Sequence, residues 1–282
     1  APAMTEATAS VGKKGLLIAI LAAAAAAYAP AAAAVKNPNT YVLAQASDLD
    51  SLDPAWAYDT ASGLVIGNVY EYLVTYDGPS IKRLLPMLAT QAPSRANGLI
   101  SKDARTYTFP IRKGVRFHEG GTVTPEDVRY SILRFCLLDR DGGPSSLLLE
   151  PLAGYPSTRS AKGDLRESAY ADLARAVRVE GDNVVLRLPA PFAPILTILA
   201  AWAPVVSKDW VAAHGGWDGT EAAWKRFNNP ADKRASPLHD RANGTGPFRL
   251  ERWDKGAKDI LLARNDAYWR APAKLRTVRI KG

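Results

Sequence analysis

Between Tyr107 and Leu138 the spacing of apolar residues changes period. Tyr107-Thr-Phe-Pro-Ile111 alternates, as a half-buried strand does. Arg112-Lys-Gly-Val-Arg-Phe-His118 continues that pattern beyond a turn at Gly114. Thr124-Pro-Glu-Asp-Val128 then opens a helix, with Thr124 as N-cap, Pro125 at the first helical position and two acids in the first turn. The apolar run to Leu138 carries the helix on. A chain that passes from strand to helix in one short stretch must pack the two against each other, which points to a mixed α/β fold.

The rest of the chain repeats the mixture. Tyr41-Val-Leu-Ala44 reads as a strand, and Ser47 to Pro54 as a polar loop. Thr60 to Leu73 has helical spacing, and Val74 to Gly78 returns as a strand with a turn. Asp139 to Ser146 is a loop rich in Gly and Asp, and Tyr170 to Ala176 a short helix. Val177 to Leu188 is a hairpin turning at Gly181-Asp-Asn183. Pro191 to Ala201 reads as an apolar helix. Phe248 to Trp253 and Asp259 to Arg264 form a second hairpin around Lys255-Gly256, and Leu275 to Ile280 is a last strand. Glycines 120, 121, 244 and 246 are read as permitting positive φ in tight turns. Pro247 fixes the chain as it begins a strand, and Trp253 and Trp269 are read as sheet-packing residues.

Charge and cysteine content exclude several classes. The net charge is +8, but the basic residues are scattered, with no block of five or six like charges. That is a solvated basic surface and not a nucleic-acid interface. The one cysteine, Cys136, excludes an intrachain disulfide, and its apolar neighbours mark a buried, inert thiol.

Residues 1–34 read as a targeting segment. Lys13 and Lys14 precede the apolar run Gly15 to Ala27, Pro30 breaks it, and Ala31 to Ala34 offer small residues for cleavage. Cleavage is expected after Ala34, leaving a mature chain that starts at Val35 and works in the periplasm. A spanning helix needs about 20 apolar residues, more than the strongly apolar part offers. No cysteine follows it to carry a lipid. Met4 or a residue upstream of the given chain is the expected initiator.

Three motifs carry a resemblance. The first is Arg112-Lys-Gly-Val-Arg-Phe-His-Glu-Gly-Gly-Thr-Val-Thr-Pro-Glu-Asp-Val-Arg-Tyr-Ser131. The second is Asn243-Gly-Thr-Gly-Pro-Phe248 with Trp253 and Arg264-Asn-Asp-Ala-Tyr-Trp269. The third, looser, is Leu52-Asp-Pro54 with Tyr70-Glu-Tyr-Leu73. In order and spacing they resemble the peptide and nickel binding family of solute-binding proteins (family 5), the capture components of ABC importers. The resemblance runs from Tyr41 to Ile280.

It implies a class II periplasmic binding protein-like α/β fold, with two lobes, a hinge and the ligand between them. Residues 35–78 and 189–282 would be the two segments of lobe one, and residues 79–188 a small inserted domain. The second lobe is expected to be absent from this chain, together with the acid that pairs with a peptide's amino terminus in relatives. The ligand wall expected here is the loop after Asp53-Pro54, namely Trp56, Ala57, Tyr58 and Asp59, with Trp202 and Thr245 as further candidates. An aromatic there can stack on a peptide plane; the other reading of Trp56 and Tyr58 is as core or capping residues. The resemblance implies peptide as ligand, with a nickel chelate, haem or a sugar as alternatives, and a permease and ATPase in the inner membrane as partners. The protein is expected to be a monomer, without a cofactor, and a peptide-sensing receptor is the other role open to the same fold.

An enzyme is the less favoured class. His118-Glu119 has no second His at zincin spacing. Gly244-Thr-Gly-Pro247 lacks the Lys-Ser/Thr of a phosphate loop, and neither Ser62 nor Ser207 sits in a nucleophile elbow. His118, His214 and His239 are far apart, so no catalytic residue and no metal ligand is assigned.

Overall fold

The chain is described by a computed structural model over residues 36–282. The expected leader, residues 1–34, lies outside the described residues. Nine strands are present among those described: β1 Thr40–Ala44, β2 Val74–Asp77, β3 Ser80–Pro86, β4 Thr106–Pro110, β5 Val177–Glu180, β6 Asn183–Arg187, β7 Phe248–Asp254, β8 Asp259–Arg264 and β9 Thr277–Lys281. The helices are α1 Thr60–Val69, α2 Pro125–Leu138, α3 Ser146–Ala153, α4 Ala169–Ala176, α5 Ile195–Leu199 and α6 Lys208–Ala213.

The strands sort into a four-stranded sheet, β1-β9-β8-β7, a three-stranded sheet, β4-β6-β5, and the β2–β3 hairpin. Only β1–β9 is parallel; every other pair is antiparallel. The β7–β8 hairpin pairs Leu250 with Leu262 and Trp253 with Ile260, and a register shift lies between Leu250 and Arg252. The β5–β6 turn is tight because Gly181 takes φ +62°.

Helix α2 forms as its sequence predicts. The Thr124 hydroxyl accepts from the Asp127 N–H at 3.2 Å, and the Asp127 carboxylate accepts from the Thr124 N–H at 2.9 Å. Such a cap contributes about 1 kcal/mol. Its apolar side packs on β5 and β6 and buries Val128, Ile132, Phe135 and Cys136.

Four expectations need correction. The helix from Thr60 ends at Val69, short of Leu73, because Tyr70 is extended and the Val69 carbonyl accepts the Gly246 N–H at 2.9 Å. The helix in Pro191–Ala201 is only Ile195–Leu199, since it starts after Pro194, where a missing N–H does no harm. Arg112 to His118 forms no strand and contributes only the bridge Arg116–Thr122. Gly120 and Gly121 do have positive φ, at +100° and +79°, but Gly244 and Gly246 do not. Those two are small because they lie flush against backbone: a Cβ on Gly244 would be 2.0 Å from the Val69 carbonyl oxygen, and one on Gly246 2.6 Å from that of Asn68.

The three-stranded sheet lies wholly within the expected insert, residues 79–188, and the four-stranded sheet wholly outside it. The 78/79 boundary falls in the β2–β3 turn. Helix α2 also packs on α6 and on the turn at Trp224–Phe227, so a common core joins the two parts, and residues 39–282 form one compact unit.

Candidate functional site

Asp53 sets the path of the loop that leads to the cleft. Its side chain is fully buried. Both carboxylate oxygens accept from the Arg134 guanidinium, each at 2.6 Å, and Ser236 donates a further bond of 2.6 Å. Burial opposes the charge, but Arg134 and Ser236 outweigh it and hold the carboxyl below the usual carboxylate range. The side chain also accepts from the Ala55 N–H at 2.9 Å, and its carbonyl accepts from the N–H groups of Trp56 and Ala57. This tight turn brings Tyr58 to the surface, with Asp59 half-buried beside it and Ala57 kept in the core. Asp59 then caps α1, accepting from the Ser62 N–H at 2.8 Å.

The loop faces the segment after α5 across an open cleft of about 470 Å³. Tyr58 and Asp59 of the loop, Gly63 and Ile66 of α1, and Tyr72, Trp202 and Ala203 are among the residues that line it. Tyr58 is 52% exposed, and its ring centre lies 5.2 Å from that of Trp202 at 52°. Ala203 takes φ +53°, a left-handed conformation uncommon for a residue other than glycine. The chain turns there directly after Trp202, and the Val205 N–H bonds to the Glu71 carbonyl at 2.9 Å.

The structure thus brings Ala57, Tyr58, Asp59 and Trp202 to one cleft. It places Trp56 and Thr245 elsewhere. The Trp56 indole donates to Asp50 at 2.8 Å and lies under the Arg140 guanidinium at 4.7 Å, so Trp56 takes the capping role. Thr245 is fully buried and donates to Glu71 at 2.8 Å. Tyr72 is a wall residue that sequence reasoning misses; its place in the Tyr70-Glu-Tyr-Leu73 motif is the signal that could have found it.

Glu71 shows why the motifs travel together. Its buried carboxylate accepts from Thr245, from the Tyr268 hydroxyl at 2.6 Å and from the Trp269 indole at 2.7 Å. Burial raises its pKa, although the three donors oppose it. Arg112 and Arg270 lie against the Trp269 ring at 4.6 and 4.5 Å. Glu71, Thr245, Tyr268 and Trp269 therefore clamp the chain together, while Pro54 and Tyr72 are the motif residues that reach the cleft.

Among the described residues no group of three or more His, Cys, Asp or Glu is placed to hold a metal ion. His118 binds the Gly246 carbonyl at 3.0 Å through Nε2, and His214 stacks on Trp210. Cys136 is buried, and burial together with Asp139 pushes its thiol pKa well up, away from nucleophilic use. No helix among the described residues is long and apolar enough to cross a membrane.

A cleft with an aromatic wall, carried on a mixed α/β frame, is what a ligand-capturing protein presents. The chain belongs to the bacterial extracellular solute-binding proteins, family 5: residues 83–282 match the family's middle region. Over 222 residues it is 29% identical to the oligopeptide-binding protein OppA of Bacillus subtilis, covering 78% of this chain and 34% of that protein. Solved structures share its fold, two of which serve as examples. One is the periplasmic binding protein DppA of Helicobacter pylori in complex with the peptide STSA (TM-score 0.58, 24% identity, 86% of this chain and 42% of that one). The other is Listeria monocytogenes OppA bound to peptide (TM-score 0.61, 18% identity, 87% and 43%). The fold is therefore the expected binding-protein α/β class, and the chain spans well under half the length of each of these three proteins.

Proposed function

We propose that the full-length protein captures peptides in a hinged cleft and delivers them to a membrane permease driven by an ATPase. The observation that carries this is the open wall of Tyr58, Asp59 and Trp202, held from behind by the Asp53–Arg134 and Glu71 clusters. Exposed aromatic faces stack on peptide planes, and the name of the oligopeptide-binding protein OppA among the relatives points to the same ligand class. A nickel chelate is less well served, since no metal-holding group is assembled among the described residues. In this reading residues 1–34 direct export, and the protein acts as a periplasmic monomer without turnover. Residues 35–78 and 189–282 form lobe one around the insert at 79–188.

The test is calorimetric titration of the full-length protein with a panel of di- and oligopeptides, a nickel chelate, haem and sugars. Saturable one-to-one binding of a peptide, with no product formed, is the expected result. Binding of another solute and of no peptide would overturn the proposal.

A further inference from the structure

We infer that Asp59 makes this cleft selective for ligands presenting a positive charge to the Tyr58–Trp202 wall. The inference rests on the peptide-capture reading and narrows its ligand class. Asp59 is the only acidic side chain lining the cleft among the described residues, and no Lys, Arg or His lines it. No ion pair among the described residues includes Asp59. One of its oxygens accepts the Ser62 N–H, and the other, Oδ2, is out of contact with solvent and has no donor among the described residues. With Oδ2 enclosed, the carboxylate acts on an arriving cation through its unneutralised charge at short range and not through a bond to that oxygen.

Two opposing fields must be weighed. The N-terminus of α1 carries roughly half a positive charge, which is smaller than the full negative charge of the carboxylate capping it. The chain as a whole is +8, but its basic residues act over distances cut off by a screening length of about 10 Å. At contact range the carboxylate prevails. The aromatic pair adds to it, because a ring face attracts cations and not anions. A cationic group over this wall meets the carboxylate and the faces of Tyr58 and Trp202 together, whereas an anionic group meets like charge without a compensating base.

The experiment uses the full-length protein and its Asp59→Asn variant. Asn caps a helix about as well as Asp, so α1 should be retained, and an unchanged melting temperature checks this. The ligands are tripeptides of one backbone with Lys, norleucine or Glu placed at each position in turn. At the position facing the wall, the parent should prefer Lys over Glu by about ten-fold or more, a difference of ~1.4 kcal/mol. In Asp59→Asn the preference should fall to within about two-fold. Tripeptides that bind with the same Lys-to-Glu ratio in both proteins would overturn the inference while leaving peptide capture standing. Failure of every tripeptide to bind the parent would instead remove the peptide reading and this inference with it.

Discussion

Alanine at position 244 puts a methyl group inside a neighbouring backbone. The new Cβ would lie 2.0 Å from the Val69 carbonyl oxygen, 2.7 Å from its carbon and 3.0 Å from the Tyr70 Cα, where real Cβ contacts stay beyond 3.0 Å. Every one of those atoms is main chain, so no rotamer change relieves the clash. The Asn243–Gly246 turn or the end of α1 must move by about an ångström, the difference between those two distances. Three bonds resist the movement: Gly246 N–H to Val69 O, His118 N–H to Gly244 O, and Glu119 N–H to the Asn243 side chain, each at 2.9 Å. Overpacking alone costs about 1–3 kcal/mol, and each buried hydrogen bond lost adds about 1 kcal/mol. Gly244→Ala should therefore lose about 3–5 kcal/mol, a large part of a typical domain's 5–15 kcal/mol. Gly67→Ala is the control. It lies inside α1, where an added methyl would meet nothing within 4 Å, so it should gain about 0.5–1 kcal/mol. Urea unfolding of both variants and the parent gives the answer. A Gly244→Ala stability within about 1 kcal/mol of the parent's, less than overpacking alone should cost, would refute the close-approach account of this glycine.

Other variants test the supports of the cleft. Arg134→Met leaves the Asp53 carboxylate buried without its cation and should cost about 3–5 kcal/mol, whereas adding Asp53→Asn to it should recover much of the loss; additive losses in a double-mutant cycle would contradict the pairing. His118 is held neutral chiefly by burial, against the help its bond to Gly246 gives the proton, and its Nδ1 is buried without a partner. Its folded pKa is lowered, so the unfolded chain binds the proton first. His118 should thus cost stability as pH falls below about 6.5, and His118→Asn should flatten that part of the pH profile; an unchanged profile would exclude this contribution. Cys136 should react with a thiol reagent only as fast as the protein opens, and rapid labelling of the native protein would contradict its burial.

The fold was legible wherever local chemistry decides the element. The Thr124–Asp127 cap, the Gly181 turn and the Lys255-Gly256 turn between β7 and β8 are short-range signals, and the elements they predict are present. The end of α1 was not legible, because a distant N–H, that of Gly246, takes the Val69 carbonyl. For the same reason Gly244 and Gly246 look like turn glycines in sequence, although what they meet lies on α1. The cleft was half legible. Tyr58, Asp59 and Trp202 meet there, but Trp56 differs from Tyr58 only in the direction the Asp53 turn gives it. Thr245 and Glu71 belong to motifs that resemble a binding signature yet serve the support behind the wall.

The central claim is that ligand rests on the wall made by Tyr58 and Trp202, and the affinity of a Trp202→Ala variant tests it most directly. Trp202 is half-buried, so its loss should leave most of the core intact. In calorimetric titrations of the full-length protein with a peptide the parent binds, Trp202→Ala should weaken binding by about ten-fold or more, ~1.4 kcal/mol, with the fold retained. A folded Trp202→Ala protein that binds the same peptide as tightly as the parent would contradict the account.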